Sequence, residues 1–371
     1  MKTPRYALIM AGGKGTRFWP LSRAHRPKQL LKILGRRSLI QETMSRIARL
    51  IAPENTLVVT VADHSKGIRQ ELKNLPSKNF LIEPQGNNTA PCIGLAAIEL
   101  AARDSNAIMA ILPADHWISG LHSFHRTLKA AMRLAEKHDA LVTIGVRPSY
   151  PETGYGYILK GEKFKGSPYA SAYRVKAFKE KPSLKKADQW IQSGALWNSG
   201  IFVWRAATIL ALLRRFCPSL LRNLKRIKEE ARGVGLGVPG PKLRAVIRAE
   251  YKKMVNLSID HAVLEKAGSE GRVLTLEADF GWSDVGNWAA VHRLLPRDSR
   301  GNAGMGKWLA LGSEGCLVYS PNRLATLLGI QNTVIVDTPD ALLVGDIRRA
   351  QEVRELVEEL KKRGYGRYTV R

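Results

Sequence analysis

Short apolar runs alternate with amphipathic stretches through the first half of the chain. "RYALIM", "TLVVTVA", "FLIEP", "AIMAILPAD" and "LVTIGV" are nearly continuous in apolar residues and too short for helices, so they read as buried strands. Between them, Ile40, Met44, Ile47 and Ile51 fall on one helical face; a polar helix is expected near 65–75, an Ala-rich helix from Ala90, and another from His122. Strand and helix in alternation predict an α/β fold: a Rossmann-like, mostly parallel sheet flanked by helices on both faces. Such sheets bind ligands beyond the carboxyl ends of their strands, which puts the glycine run after the first strand and the Pro113-Ala114-Asp115 turn on one rim. Over 155–204 the pattern shifts to longer β-rich pieces, predicting a lobe that covers this rim. Helices follow to about Ala231, then the Gly/Pro-punctuated loop "RGVGLGVPGPKLR". "PRDSRGNAGMG" reads as a linker between a large domain at 1–295 and a small β-rich one at 300–371. In the latter, "GCLVYS", "LATLLGI", "TVIVDT" and "ALLVGD" precede an amphipathic helix bearing Val353, Leu356, Val357 and Leu360.

Charge widens the range of partners without choosing one. The 371 residues carry 59 Lys and Arg against 32 Asp and Glu, a net +27, so a phosphate-rich partner has to be considered: nucleic acid, a membrane surface or a phosphorylated metabolite. The cations are spread over helix faces such as "LLRRFCPSLLRNLKRIKEEAR", which reads chiefly as solvated surface. Neither an RNP-like nor a zinc-finger pattern is present, so no specific nucleic-acid partner is expected. Cys92, Cys217 and Cys316 are odd in number and widely spaced, against both a disulfide frame and a zinc site, and a reduced cytoplasmic setting fits. No segment reaches the roughly 18 apolar residues of a membrane span.

The chemistry concentrates first in "MAGGKGTRFWP". Gly12, Gly13 and Gly15 allow close backbone approach and N–H groups aimed at phosphate or a base edge, with Arg17 and Lys28 to supply charge. The run fits neither G-x-x-x-x-G-K-[ST] nor G-x-G-x-x-G. An ordinary strand-to-helix turn is the alternative, but the loop continues to Pro27, more chain than a turn needs.

"AGGKGTRFWPLSRAHRPKQLL", followed in order by "EPQGNNTAPCIGLAA", "ILPADHWI", "GYGYI", "FKEKP", "WNSGIFVWR" and "GWSDVGNW", closely resembles the sugar-nucleotide pyrophosphorylases, in particular the mannose-1-phosphate guanylyltransferases. The likeness spans about 290 residues. It implies a GT-A-like nucleotidyltransferase domain that joins GTP to mannose 1-phosphate, giving GDP-mannose and pyrophosphate. "NTVIVDTPDALLVGDIRRAQEVRELVEEL" resembles the end of the bacterial single-function enzymes, where it belongs to a left-handed β-helix-like domain involved in dimer contacts, so a homodimer is implied. No cupin-like histidine cluster suggests an added isomerase.

By the same resemblance, Gly12, Gly13, Gly15 and Thr16 lie against the nucleotide, Arg17 holds the β- and γ-phosphates, and Lys28 meets phosphate near the reacting centre. Asp115 and Asp284 end strand-like runs and are implied to hold Mg²⁺, a hard ion content with two carboxylates and substrate phosphates; helix capping is the competing role. Asn88 and Thr89 either contact base or ribose, cap the next helix, or do both. Asn87 stands where many relatives have arginine, and Lys179 where valine is common. Gly154, Tyr155, Glu180, Lys181 and Asn198 form the implied sugar-phosphate pocket. His116 reads as structural, Phe18 and Trp19 as packing, and Trp197, Trp204, Trp282 and Trp288 as core beside the site. Rival readings are a sister enzyme using glucose 1-phosphate or another nucleotide, a silent sugar-nucleotide sensor, and a nucleic-acid binder.

Overall fold

A computed structural model describes residues 3–13, 15–167 and 171–370. In chain order the strands are β1 Arg5–Ala11, β2 Thr56–Val61, β3 Phe80–Glu83, β4 Ile108–Pro113, β5 Trp117–Ile118, β6 Leu141–Val146, β7 Gly156–Lys163, β8 Ala172–Glu180, β9 Leu196–Arg205, β10 Val273–Ala278, β11 Trp282–Ser283, β12 Ala303–Leu311, β13 Leu317–Leu328, β14 Thr333–Asp337 and β15 Leu342–Asp346. Nine of them form one sheet, ordered β3-β2-β1-β4-β9-β6-β10-β8-β7. β1, β2, β3 and β4 pair in parallel, as do β6 and β10, while β9 is antiparallel to both β4 and β6. Alternate residues of β1 face opposite cores, Leu8 with the helices Thr89–Arg103 and Ala206–Phe216, Ala7 and Ile9 with Leu39–Ile47 and Leu121–His138.

The expected lobe over 155–204 is not separate. β7 and β8 extend the main sheet, and β9 runs through its centre. The physical reason is visible in "IFVWR": Phe202, Val203 and Trp204 are all buried, on both faces of the strand, which only an interior position permits. The Gly/Pro loop after Ala231 ends sooner than expected, because Pro241 opens a helix, Pro241–Lys253, at a position where its missing N–H costs nothing. "GCLVYS" and "LATLLGI" belong to one long strand, β13.

β12, β13 and β14 stack in parallel, with Ala303 beside Leu317 and Leu317 beside Val334, and β15 closes the sheet antiparallel. Corner glycines stack with them, Gly301 on Gly315 and Gly312 on Gly329, all at positive φ. This repetition is that of a β-helix-like coil. The coil is not loosely tethered: Leu317, Val334, Val336, Leu343, Ile347, Val353 and Val357 share a core with Phe18, Trp19, Leu21 and Leu31 of the segment following the glycine loop.

Candidate functional site

β1 delivers the glycine run to the sheet's carboxyl rim. The Ala11 carbonyl, the last of the strand, accepts from Gln29 Nε2 and Thr60 Oγ1, both at 2.9 Å, so the loop leaves from a fixed point. Gly15 is required by shape: φ is +67°, and a Cβ there would lie 2.3 Å from Lys28 Cβ. Gly13 faces open space, and the nearest atom to a Cβ on Gly12 would be Glu83 Oε2 at 3.9 Å. Arg17 is half-buried within the short turn Thr16–Phe18 that follows. Thr16 instead faces a cleft with Trp19, Ser22 and Arg23, closed by Val357, Lys361 and Thr369.

Close approach of Gly15 to Lys28 sets the lysine beneath the loop. Its Nζ lies 2.8 Å from Asp115 Oδ2 and donates to the Asp284 backbone carbonyl at 2.5 Å. The Asp115 carboxylate and the Asp284 backbone carbonyl, about 170 positions apart in the chain, thus meet at one ammonium. Burial pushes the Asp115 carboxyl up, but the Lys28 charge and hydrogen bond outweigh it and hold the carboxyl below its usual range. Asp284 follows the two-residue strand β11, which pairs with β5 just after Asp115, and this pairing is what brings the two turns together. Val285 adopts φ +48°, and a Cβ at Gly286 would come within 2.9 Å of the Asp284 carboxylate, so this turn admits no bulk. Tyr155 donates from its hydroxyl to Asp284 Oδ1 at 2.7 Å, and burial beside that carboxylate drives the phenol pKa far upward, keeping it a donor.

The sugar-side residues continue from there. Lys181, at φ +44°, donates its backbone N–H to the Tyr155 carbonyl. Glu180 sits opposite Gly156 in the β7–β8 register, and a Cβ on Gly156 would touch Asn198. Gly154 N–H is held by Glu152 Oε1. Tyr155, Trp197 and Trp282 pack edge to face at 5.2 Å from the tyrosine, and Trp204 and Trp288 are fully buried, in keeping with core roles. His116 accepts from Trp282 Nε1 at 3.1 Å; burial lowers its pKa to about 4, so it is a neutral structural group. Lys179 is exposed, so its departure from the common valine leaves the core untouched.

On the nucleotide side the capping reading holds. Asn88 accepts from the Thr89 N–H, and the Thr89 hydroxyl accepts from Ile259 N at 2.8 Å. Asn87 is buried and donates to the Tyr251 and Met254 carbonyls, closing the end of the helix Pro241–Lys253. Two acidic residues went unnoticed in the sequence. Glu83 is buried, with its carboxyl pushed up to about 8 chiefly by burial, and Asp260 contacts Asn198. The signal for Glu83 was an acid ending an apolar strand; Asp260 gave none, because nothing in "SIDHAVLEK" marks it.

Comparison with known proteins decides the family. The Nucleotidyl transferase model matches residues 6–300, and the MannoseP isomerase/GMP-like beta-helix domain model matches 306–360. A mannose-1-phosphate guanylyltransferase of Klebsiella pneumoniae is 36% identical over 97% of this chain and 75% of its own length. One of Escherichia coli is 37% identical over 96% and 74%. The chain belongs to the mannose-1-phosphate guanylyltransferase family. A solved structure named as a mannose-1-phosphate geranyltransferase, from Thermus thermophilus, superposes with a TM-score of 0.84 at 34% identity, over 96% of this chain and 99% of that one. The two domain types expected from the resemblance are those the family models and the structure give: a nucleotidyltransferase sheet and a β-helix-like coil. Among the described residues no helix is long and apolar enough to cross a membrane.

Proposed function

We propose that this chain transfers GMP from GTP to α-D-mannose 1-phosphate, releasing pyrophosphate. What carries the reading, within this family, is Lys28 gripping Asp115 and the Asp284 turn directly below the glycine loop. In the reaction a phosphate oxygen of mannose 1-phosphate forms a bond to the α-phosphorus of GTP, and the bond from that phosphorus to the β-phosphate oxygen breaks in line. The protein has to align two anions and neutralise charge, with no nucleophile of its own. Gly12 and Gly13 offer a surface open to the nucleotide. Arg17 would hold the departing pyrophosphate with its fork of donors. Lys28 would meet the reacting phosphate. Gly154, Tyr155, Glu180, Lys181 and Asn198 would bind the sugar phosphate, Glu180 accepting from hydroxyls and Lys181 neutralising phosphate.

Enzymes of the nucleotidyltransferase family generally use a divalent metal. Among the described residues no three His, Cys, Asp or Glu side chains converge on a metal position. Two carboxylates completed by substrate phosphates suit Mg²⁺, and we assign that role to Asp115 and Asp284, whose turns are drawn together at Lys28. Bound there, Mg²⁺ would screen phosphate charge and orient the two substrates. We assign catalysis to 1–295 and a homodimer contact to 300–371, where Leu309, Leu311, Leu324 and Leu328 leave an exposed apolar face. A cytoplasmic location fits the three free cysteines.

Pyrophosphate release measured with GTP, ATP and UTP against mannose and glucose 1-phosphates tests the assignment. GTP with mannose 1-phosphate is expected to be fastest; equal rates with all three nucleotides would remove the guanine claim, and a preference for glucose 1-phosphate would make the chain a sister enzyme.

A further inference from the structure

Asn198 sits near the middle of the sheet at the rim, and both ends of its amide are committed. Its Oδ1 accepts from the Gly200 N–H at 3.1 Å, and its Nδ2 donates to Asp260 Oδ1 at 2.9 Å. Flipping the amide would set the oxygen against a carboxylate and the NH₂ against an N–H, so the network fixes its orientation. An amide has two N–H donors and two acceptor lone pairs. One of each remains for a ligand, on a side chain that borders Gly156 and lies on the Glu180 side of the site. A donor and an acceptor on one oriented amide suit sugar hydroxyls, which both donate and accept.

Asp260 is not part of any strand. It begins a π-helical turn, Asp260–Leu264, a wide turn frequently found at functional positions. The backbone just before it is pinned to the nucleotide side of the molecule: Ile259 N–H donates to Thr89 Oγ1, Leu257 N–H to the Asn87 carbonyl, and Ala90 N–H to the Leu257 carbonyl. A single short segment therefore borders both halves of the site. The titratable groups facing Asp260 are Glu180 from the end of β8 and His261 from its own turn, and His261 is in turn held by Glu265 at 2.8 Å. Burial raises the Asp260 carboxyl to about 6, against the Asn198 hydrogen bond, which favours the charged form, so it still accepts at neutral pH.

We propose that Asp260 is a positioning residue of the sugar-phosphate pocket, which locks the Asn198 amide so that its free N–H and lone pair meet neighbouring sugar hydroxyls. The role rests on the reading of the chain as a guanylyltransferase. Removal of the acceptor leaves the amide held only at its oxygen, by the Gly200 N–H, and this looser hold weakens sugar binding and leaves GTP binding alone. Asp260→Asn keeps a carbonyl oxygen in the same place and therefore keeps the lock.

The test is steady-state kinetics of the full chain with GTP and mannose 1-phosphate. Asp260→Ala is expected to raise KM for mannose 1-phosphate about tenfold, the size of one lost hydrogen bond to a sugar, with KM for GTP and kcat within about twofold. Asp260→Asn is expected to restore the sugar KM to within about threefold of the parent. If the alanine variant fails to fold, Asp260→Ser, whose oxygen falls short of Asn198, takes its place with the same expectation. Unchanged sugar KM in the removal variants, an equal rise in both KM values, or an asparagine variant as impaired as alanine would overturn the role. A parent enzyme that forms no GDP-mannose would overturn the functional reading instead, so the two failures are distinguishable.

Discussion

Lys28 shows how much one side chain can carry. It reaches the interior because Gly15 lets the loop fold flat against it, and it holds two acidic turns that come from distant parts of the chain. Lys28→Met keeps most of the volume and removes the charge. In a GTP and mannose 1-phosphate assay it is expected to lower kcat by about 10²-fold or more, the usual cost of losing a preorganised charge partner, and a near-normal kcat would contradict its placement. Asp284→Asn should remove most turnover with the fold intact, since volume is unchanged, and activity undiminished at low Mg²⁺ would refute the ligand role. Glu83 supplies a stability test. Its folded pKa, about 8, lies above an ordinary glutamate's. Below the ordinary value the group is neutral folded or unfolded; as pH rises, only the unfolded chain ionises until about pH 8 is reached, so stability is lost across this window. The Tm advantage of Glu83→Gln over the parent is expected to grow from about pH 5 to pH 8 and then level, and a flat difference would show the carboxyl to be charged in the fold. At this scale the sequence named the glycines, Arg17, Lys28 and both aspartates. It missed Asp260, whose contact with Asn198 spans distant parts of the chain and leaves no local pattern, and it passed over Glu83, an acid ending an apolar strand whose burial is seen only in the fold.

Among elements, the C-terminal coil and the glycine loop are the unexpected pair. Trp19 Nε1 donates to the Tyr368 carbonyl at 2.9 Å, Ala24 N–H to the Thr369 carbonyl, and Arg23 pairs with Asp340 at 2.9 Å. The loop's outer wall is therefore built by the last residues of the chain. Trp19→Phe keeps the packing and deletes one buried donor, leaving the Tyr368 carbonyl unpaired. It is expected to cost about 1 kcal/mol of stability in denaturant unfolding and to raise KM for GTP by a few-fold through a looser loop; an unchanged KM would show the tail to be structural only. Periodicity marks most strands and helices, because a strand buried on both faces leaves an apolar run and a surface helix leaves a stripe. It could not say that β9 enters the centre of the sheet antiparallel, since pairing direction is decided by contacts between runs and not within them.

For the whole molecule, the net +27 and the exposed apolar face point to different uses of the surface. The charge of +27 makes the molecule a strong positive field, and salt would screen any attraction of anions to it. The apolar face has a sharper consequence. Leu311 and Leu328 are register neighbours on β12 and β13 and are 67% and 75% exposed. Leu328→Asp is expected to convert a dimer to a monomer in light scattering without lowering Tm appreciably; a parent that is already monomeric would refute the proposed contact. By itself the amino-acid order determined the element types, the carboxyl rim of the sheet and the family motifs, since these are written in local spacing of apolar and turn-forming residues. Only the tertiary structure decided that Lys28 joins Asp115 to the Asp284 turn, that the tail braces the glycine loop, and that Asp260 holds Asn198. Those contacts bridge up to hundreds of residues, and the free energy that selects them comes from burial and charge pairing that exist only once the chain has closed on itself.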